Sequence, residues 1–564
     1  MVLMTHLWRG SQILVLMGAL SSWISAVTVN DARPADRRIT TGLVLLPAIL
    51  GMTLGTAVAG HALIEDPLFL VVLFTGVYVR RYGQRHTTLG IVWVFSFFFS
   101  LFIGARVDQL PPLFGALTLG TASTYVMRFV VPKYRRGSLW SVRQSILAQL
   151  RLAAAPVPHA ALAVLVPHLA EINETILAVE EQGVIPASLE RLILECELAA
   201  ENLLIARSGE DVETRRSAER RFAEAIERFV AAVGTAPPPQ DEEPGPQHTA
   251  IIEEARRGSQ TQYRLRPTTR QAIQVTVAAA GAIAAGEHIS PQRWYWAVIV
   301  TFIVYNGTVS AGETVVRAWA SFLGTLAGVL AGGFIGHLVR GDVALESTLL
   351  FLGMLFAAYF LRRIYGVALF FITLVLVMLY SLTGRFTESL LLIRLFEVII
   401  GAVIGGVAAV WILPTSTRRV FRGDVIASLQ AMCDALEVLG GDDERRVQAA
   451  SRRFDTAVRR LRQRVRPLRS GPTFAGFSEF ARRWLWALEL SAYHLRNAVV
   501  APTFEREQVR AAAAKTAAIL QEISSDLEWP QASAPLPELP PPRCGPGENA
   551  QPIAQIGELL ARLS

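Results

Sequence analysis

Long apolar runs separated by short polar loops occupy two stretches of this chain. Most of these runs have about 17–24 residues and almost no charge, which is the length of a helix that crosses a hydrocarbon core about 30 Å thick. The first block holds five predicted spans, at 11–29, 41–60, 67–80, 87–104 and 111–131. The second holds six, at 270–287, 294–310, 318–338, 345–361, 366–383 and 390–413. The pattern predicts an all-α polytopic membrane protein.

A charged region with helical periodicity follows each apolar block. We therefore expect four parts in chain order. They are a first transmembrane block at 1–132, a helical domain with a Pro-rich linker at 133–249, a second transmembrane block at 250–414, and a helical domain with a Pro-rich tail at 415–564. Within the last part, residues 444–468 carry arginines between regularly spaced apolar positions. Such a helix could rest on anionic lipid or bind nucleic acid, but a solvated helix with snorkelling side chains is favoured.

Basic residues mark one set of the short loops. This set holds Arg33, Arg37, Arg38, Arg80, Arg81, Arg85, Lys133, Arg135, Arg136, Arg362, Arg363, Arg418, Arg419 and Arg422. The alternate loops are poor in arginine or carry acids. The positive-inside rule places the basic loops, and with them both charged domains, in the cytoplasm. The isolated Cys196, Cys433 and Cys544 suit that reducing compartment.

The two apolar blocks share sequence marks at a shift of about 280 residues. "YVRRYG" at 78–83 corresponds to "FLRRIYG" at 360–366, and Pro132 corresponds to Pro414. Both arginine pairs are predicted cytoplasmic turns, and the blocks are predicted parallel repeats. The span at 270–287 has no counterpart in the first block. Either the protein has five plus six spans or its start codon is misassigned, and we favour a missing upstream helix.

Composition narrows the possible functions. The chain has 564 residues, of which 52% are hydrophobic and 18% charged, with a net charge of +7. That charge lies in the short loops, so we read it as a topology signal and expect no nucleic-acid partner. No GxxxxGK[ST] loop and no HExxH, GxSxG or GxGxxG motif occurs in the sequence. We therefore predict a protein that is not an enzyme, with no catalytic residues, metal ligands or cofactor.

Two ionisable residues lie inside the last predicted span. Arg394 and Glu397 are three positions apart, so they share one face of a helix. An ionisable residue at membrane depth is by default a functional candidate, and here the glutamate could carry protons while the arginine attracts a carboxylate. A mutually neutralising pair that fixes helix packing is an equally good interpretation. The corresponding positions in the first block are Pro112 and Gly115, so this charge is not duplicated.

Aromatic and polar residues bracket one predicted span of the second block. Trp294 and Trp296 lie at its outer start, where an interfacial aromatic belt is the favoured interpretation and the mouth of a substrate path is the alternative. Tyr305 and Asn306 lie near its inner end, where they could form hydrogen bonds with a substrate.

The next predicted span begins with an acid and a base. Glu313 and Arg317 can pair across one helical turn, and a role as an anion or proton gate is the less favoured alternative. Gly324, Gly328 and Gly332 recur every four residues and predict a face for close helix packing.

The stretch "YWAVIVTFIV…GETVVRAWASFLGTLAGVLAG" resembles the fusaric-acid-resistance-like (FUSC) family. The shared pattern is a YWA start, a turn with an acid and an arginine, and a GTxxG helix. The final span ending in "WILP" at 411–414 also fits, as does the order of spans and helical domains. Members of this family commonly have six spans in each block, whereas five are predicted in the first block here.

The resemblance implies a multi-pass protein of the bacterial inner membrane that exports aromatic or other organic carboxylic acids. It also implies a periplasmic adaptor protein as a partner and leaves a homo-oligomer open. The absence of a nucleotide-binding motif suggests proton coupling. A passive organic-anion channel and a non-transporting membrane scaffold are the two alternatives.

Overall fold

The computed structural model describes residues 12–31, 34–131, 162–182, 187–209, 211–235, 267–289, 294–306, 308, 310–339, 342–361, 363–382, 388–413, 417–439, 443–465, 475–500, 511 and 513–517. Every regular element among these residues is a helix, which confirms the all-α prediction. The chain forms two compact units. The membrane unit comprises Met1–Val131 and Gln262–Thr417, and the polar unit comprises Pro132–Thr261 and Arg418–Ser564.

The membrane unit contains the helices of both apolar blocks. In the first block these are α1 (Gln12–Thr28), α2 (Pro34–Leu43), α3 (Leu45–Val58), α4 (Ala62–Tyr78), α5 (Gln84–Ile103) and α6 (Leu110–Tyr125). In the second they are α10 (Pro267–Ile289), α11 (Tyr295–Tyr305), α12 (Ala311–Val339), α13 (Val343–Phe360), α14 (Tyr365–Leu382) and α15 (Glu388–Trp411). Helices of the two blocks pack on each other, since α10 lies against α4 as well as against α11 and α15.

Among the described residues, six helical segments are long and apolar enough to cross a membrane. They are Asp36–Val58, Gln84–Ile103, Ala311–Val339, Val343–Phe360, Tyr365–Leu382 and Ile393–Trp411. The shorter segments Leu14–Thr28 and Tyr295–Tyr305 are also apolar. The protein is therefore a multi-pass membrane protein by the length and composition of its helices. The other predicted spans coincide with helices of the described chain, and their crossing of the membrane stays a prediction.

The boundaries of several helices follow from local chemistry. The 3₁₀ turn Val79–Tyr82 contains the first arginine pair and ends at Gly83, whose φ of 112° favours glycine. Helix α5 ends at Gly104 in the left-handed conformation. At the start of α13, the Asp342 carboxylate accepts hydrogen bonds from Ala344 N and Leu345 N at 3.1 and 3.0 Å. These caps keep the connections short.

Helix α11 is shorter than the sequence indicates. The predicted span reached residue 310, but the helix ends at Tyr305, and Asn306 adopts an extended backbone. The carbonyl oxygen of Asn306 accepts a hydrogen bond from the guanidinium of Arg317, which lies on α12. This side chain therefore supplies the donor for the carbonyl group at the end of α11. The prediction of one continuous span over 294–310 was wrong for this reason.

The glycine face of α12 packs against α14. A Cβ atom on Gly324 would lie 2.1 Å from the carbonyl oxygen of Gly366. A Cβ on Gly328 would lie 2.7 Å from the Cβ of Thr373, and one on Gly332 would lie 2.9 Å from a methyl of Val377. These distances are too short for any side chain, so the three glycines let the two helices approach closely.

The polar unit contains six described helices. They are α7 (Leu162–Gln182), α8 (Ala187–Ser208), α9 (Val212–Thr235), α16 (Thr417–Val438), α17 (Glu444–Val465) and α18 (Ala475–Val499). Phe454 and Leu461 of α17 and Trp484 of α18 are fully buried in its core. The favoured interpretation of 444–468 as a solvated helix was therefore wrong for most of α17, because its arginines lie among carboxylates of other helices rather than in solvent.

Two cysteines are buried in this unit. Cys196 and Cys433 are free thiols, and Cys544 lies outside the described residues. Burial raises the pKa of Cys196 to about 12 and that of Cys433 to about 11. Both thiols are therefore chemically inert while the unit stays closed.

Candidate site around Arg394 and Trp296

The charged pair predicted in the last span is present and buried. Arg394 Nη1 lies 3.7 Å from Glu397 Oε2, and the two side chains are 12% and 4% exposed. Both residues lie on α15, ahead of a face where α15 approaches α11 closely. Gly401 is at that approach, because a Cβ atom there would lie 2.6 Å from the carbonyl oxygen of Ala297. Burying ionic groups in this apolar interior costs free energy, so their presence indicates a role in packing or in transport.

An aromatic ring lies against the guanidinium of Arg394, and further rings pack against that ring. Its central carbon lies 4.0 Å from the centre of the Trp296 ring, which is close enough for a cation–π interaction. Trp296 in turn makes edge contacts with Phe98 at 4.7 Å and Phe102 at 5.3 Å between ring centres. Phe102 also contacts Tyr380 of α14 at 6.0 Å. Both apolar blocks therefore contribute to this group of rings.

Several donors of this site lack acceptors. Nε and Nη1 of Arg394 and Nε1 of Trp296 are buried and have no hydrogen-bond partner among the described residues. An unsatisfied buried donor usually costs about 1–3 kcal/mol. A carboxylate group has two acceptor oxygens and could accept from such donors. The arrangement is thus suited to an organic anion that carries an apolar or aromatic body.

Trp294, Tyr295 and Trp296 are all buried within the protein. Trp294 packs on Phe69 of α4, with ring centres 5.8 Å apart. The interpretation of the two tryptophans as an interfacial belt was therefore wrong, because a belt residue would face outward. Trp296 belongs to the site of Arg394, whereas Trp294 joins α11 to the first block.

Tyr305 and Asn306 lie at the other end of α11, about 15 Å from Trp296 at 1.5 Å per residue. The Tyr305 hydroxyl donates to the carbonyl oxygen of Gly405 at 3.0 Å. The backbone carbonyl of Tyr305 accepts a hydrogen bond from Gln271 Nε2 at 2.6 Å. These bonds join α11 to α15 and α10. The structure therefore gives the Tyr305 hydroxyl a partner within the protein.

Glu313 and Arg317 also lie near the C-terminal end of α11, with Tyr305 and Asn306. The guanidinium of Arg317 lies 4.5 Å from the centre of the Tyr365 ring and donates to the carbonyl of Asn306. The backbone N–H of Glu313 donates to the Ser310 hydroxyl at 3.3 Å, which caps α12. The candidate residues thus fall into two groups. Arg394, Glu397 and Trp296 meet around the guanidinium of Arg394, and Arg317 meets Asn306 at the end of α11.

Sequence reasoning missed Phe98, Phe102 and Tyr380. The run "FSFFFSLF" at 95–102 is unusually rich in phenylalanine and was the available signal. Nothing in the sequence indicates which of these rings faces α11. The described residues contain no group of His, Cys, Asp and Glu that could hold a metal ion.

Comparison with known proteins agrees with the earlier resemblance. Residues 279–408 match the family model described as fusaric acid resistance protein-like. An uncharacterized protein of Haemophilus influenzae is 29% identical over 154 residues, which are 26% of this chain and 20% of that protein. The chain thus covers about a fifth of the length of that relative. No solved structure matches the chain. The segment that holds Trp296, Arg394 and Glu397 is therefore fusaric acid resistance protein-like, which confirms the family resemblance over these residues.

Proposed function

We propose that this protein is an inner-membrane secondary transporter that exports aromatic or other organic carboxylic acids by proton coupling. The observation that carries the proposal is the buried guanidinium of Arg394, which lies on Trp296 and 3.7 Å from Glu397 with two nitrogen atoms unpartnered among the described residues. The family match over 279–408 supports transport. The organic anion, an adaptor protein and the lipid bilayer are the partners that this proposal implies.

The geometry suggests how anion and proton are exchanged. A substrate carboxylate pairs with Arg394, and its ring enters among Trp296, Phe98 and Phe102. Glu397 then shares its cationic partner with a second anion, so the site holds one negative charge too many. This excess charge favours release of the carboxylate on the outer side, where Glu397 then takes up one proton. Release of that proton on the cytoplasmic side restores the ion pair and completes the exchange of one proton inward for one anion outward.

Uptake of labelled benzoate into inverted membrane vesicles tests the proposal. Glu397→Gln should reduce proton-driven uptake at least tenfold with an unchanged amount of folded protein in the membrane. Glu346→Gln is the matched control, because Glu346 is also buried and its carboxylate accepts from the Ser381 hydroxyl at 2.6 Å. Full uptake by Glu397→Gln contradicts the proton role. Uptake that a protonophore leaves unchanged favours a passive channel, and no uptake of any of several aromatic acids favours a scaffold.

The proposed transporter is built from two parallel repeats, and equivalent helix pairs support this. A Cβ on Gly120 of α6 would lie 2.1 Å from the carbonyl of Gly18 on α1, as one on Gly401 would lie 2.6 Å from that of Ala297. Gly401 follows Gly120 by 281 positions. These pairs are also joined by similar hydrogen bonds, from the Ser21 hydroxyl to Leu117 O and from the Thr301 hydroxyl to Gly401 O.

A second pair of helices repeats with the same spacing. Gly51 of α3 faces Ser96 of α5, and Gly332 of α12 faces Val377 of α14, each 281 positions later. This register moves the counterparts of Arg394 and Glu397 from Pro112 and Gly115 to Leu113 and Ala116. The charge is therefore still confined to one repeat.

Both polar domains are proposed to lie in the cytoplasm. Tyr82, in a basic turn, and Val107, in an arginine-poor loop, are 60% and 69% exposed and make a matched pair. An impermeant thiol reagent added to spheroplasts should label Val107→Cys and leave Tyr82→Cys unlabelled. The reverse result would invert the orientation.

A further inference from the structure

Five charged side chains of the polar unit, none of which belongs to the site of Arg394, meet in its interior. Glu197 and Glu201 come from α8, Arg452 and Asp455 from α17, and Arg496 from α18, and each side chain is at most 2% exposed. Residues of the two charged regions, which are about 250–300 positions apart in sequence, thus form one buried cluster.

Arg496 lies at the centre of this cluster. Its Nη1 is 2.5 Å from Asp455 Oδ1, its Nη2 is 2.6 Å from Glu201 Oε1, and its Nε is 3.7 Å from Glu197 Oε1. Arg452 lies 2.8 Å from Glu197 Oε2 and 3.3 Å from Asp455 Oδ2. The three carboxyl groups carry one more charge than the two guanidinium groups can neutralise.

The three carboxyl groups differ in how well they are neutralised. Both oxygens of Asp455 face an arginine. Glu197 accepts from Asn173 Nδ2 at 2.6 Å, and its Oε2, which makes no hydrogen bond among the described residues, still has Arg452 Nη2 at 2.8 Å. Glu201 has Arg496 at one oxygen, while its Oε2 is buried and has no hydrogen-bond partner among the described residues. An excess negative charge in a buried site is costly, and protonation of the least neutralised carboxyl group removes it.

We propose that this cluster is a proton-binding site of the polar unit, with the proton on Glu201, so that the docking of α8 on α17 and α18 weakens as the proton is lost. The ligand is one proton from the surrounding solution, and no other co-reactant is needed. The excess charge and the unpartnered carboxyl oxygen of Glu201 carry this inference.

The pKa shifts of Glu201 and Glu197 agree with this assignment. Burial also raises the pKa of Asp455 against the attraction of Arg496 and Arg452, but both of its oxygens face an arginine, so we assign the proton to Glu201. Burial raises the pKa of Glu201 to about 8 against the attraction of Arg496, and repulsion from Glu197 and Asp455 adds to the rise. Burial by itself would raise the pKa of Glu197, because it disfavours the ionised form. Arg452 and Arg496 outweigh this effect and hold the pKa of that carboxyl below its usual range. A folded-state pKa above the ordinary value of 4.5 means that stability falls as pH rises from about 4.5 to about 8.

Neighbouring charged groups on the helices around Glu201 have other partners or are neutral in this range. Arg462 of α17 contacts Glu174 of α7 at 3.6 Å and Glu489 of α18 at 3.2 Å. On α9, Arg228 contacts Glu195 of α8 at 2.8 Å. Burial lowers the pKa of His494 on α18 to about 4, so this imidazole stays neutral through the range in which Glu201 titrates.

The reactivity of Cys196 measures the opening of α8. This thiol is next to Glu197, is fully buried and donates to Ala225 O at 3.3 Å. The experiment uses the full chain in detergent with Cys433→Ala and Cys544→Ala, so that only Cys196 reacts. Its labelling rate is measured at several pH values between 6 and 8 and divided by the rate in a Glu201→Gln variant, which cancels the pH dependence of the thiol itself.

The expected ratio rises up to tenfold per pH unit as Glu201 loses its proton. Glu444→Gln is the control, because Glu444 is half exposed and should leave the pH dependence unchanged. A ratio that stays constant between pH 6 and 8 overturns the proposal. Glu201→Met is a second neutral variant, and if neither neutral variant folds, the negative charge of Glu201 is required and the proposal is wrong.

Discussion

Arg496 and Arg394 are both buried in this protein, but in opposite ways. In the polar unit, both terminal nitrogens of Arg496 donate to carboxylates, at 2.5 Å to Asp455 and 2.6 Å to Glu201. In the membrane unit, Arg394 lies 3.7 Å from Glu397 and 4.0 Å from the centre of the Trp296 ring. Its Nε and Nη1 atoms have no hydrogen-bond partner among the described residues.

The difference separates a cation that the protein saturates with hydrogen bonds from one that it does not. Arg496 is held by strong hydrogen bonds to partners on two other helices, so its removal would leave uncompensated charges in a core. Arg394 is held loosely enough to change partners. A transport site needs such a group, because a cation that is already saturated by the protein cannot bind a substrate and release it.

The largest effect is expected for Arg496→Met. Three buried carboxyl groups would then face Arg452 alone within the cluster, and breaking a buried ion pair usually costs about 3–5 kcal/mol. The free energy of unfolding of the polar unit should fall by that amount, measured by urea unfolding with the reactivity of Cys196 as the signal. A loss below about 1 kcal/mol would show that the cluster does not hold the unit together.

The cluster around Arg496 shows what the sequence could not predict. The helical periodicity of α17 was visible, and so were its arginines, but their partners on α8 are about 250 positions away. No short-range pattern links Glu197 to Arg452, so the arginines of α17 were interpreted as solvated. Arg394 and Glu397 could be predicted because a charge inside an apolar run stands out whatever the fold.

The next effect concerns transport rather than stability. Arg394→Lys keeps the positive charge but loses the planar group that lies on Trp296 and the donors of the guanidinium. We expect benzoate uptake to fall at least tenfold, which is about 1.4 kcal/mol in the transport barrier. The free energy of unfolding should change by less than about 1 kcal/mol. Arg496→Lys is the matched control and should show the reverse, with lower stability and unchanged transport per folded molecule. Equal destabilisation by both substitutions would make Arg394 a structural residue.

A smaller effect is expected for Trp296→Phe. Phenylalanine keeps an aromatic face but interacts more weakly with a cation and lacks the indole N–H. The benzoate concentration that gives half-maximal uptake should rise roughly two- to fivefold, which corresponds to about 0.5–1 kcal/mol of lost interaction. Trp294→Phe is the same substitution two positions earlier, on a ring that packs against Phe69. If both variants behave alike, the contact of Trp296 with Arg394 has no part in binding.

The smallest effect is expected for Arg191→Ala. This substitution tests an exposed arginine that connects α8 and α17, two of the three helices that the buried cluster joins. Arg191 of α8 lies 2.6 Å from Glu444 of α17, but the two side chains are 52% and 50% exposed. Water screens this pair, so its loss should change the free energy of unfolding by at most about 0.5 kcal/mol, and less in high salt. A change as large as that of Arg496→Met would mean that the surface pair, and not the buried cluster, docks α8 on α17. A small change, by contrast, would show that burial and saturation determine what an arginine contributes here, since Arg191 contacts α17 and Arg496 contacts α8 and α17 at nearly equal distances.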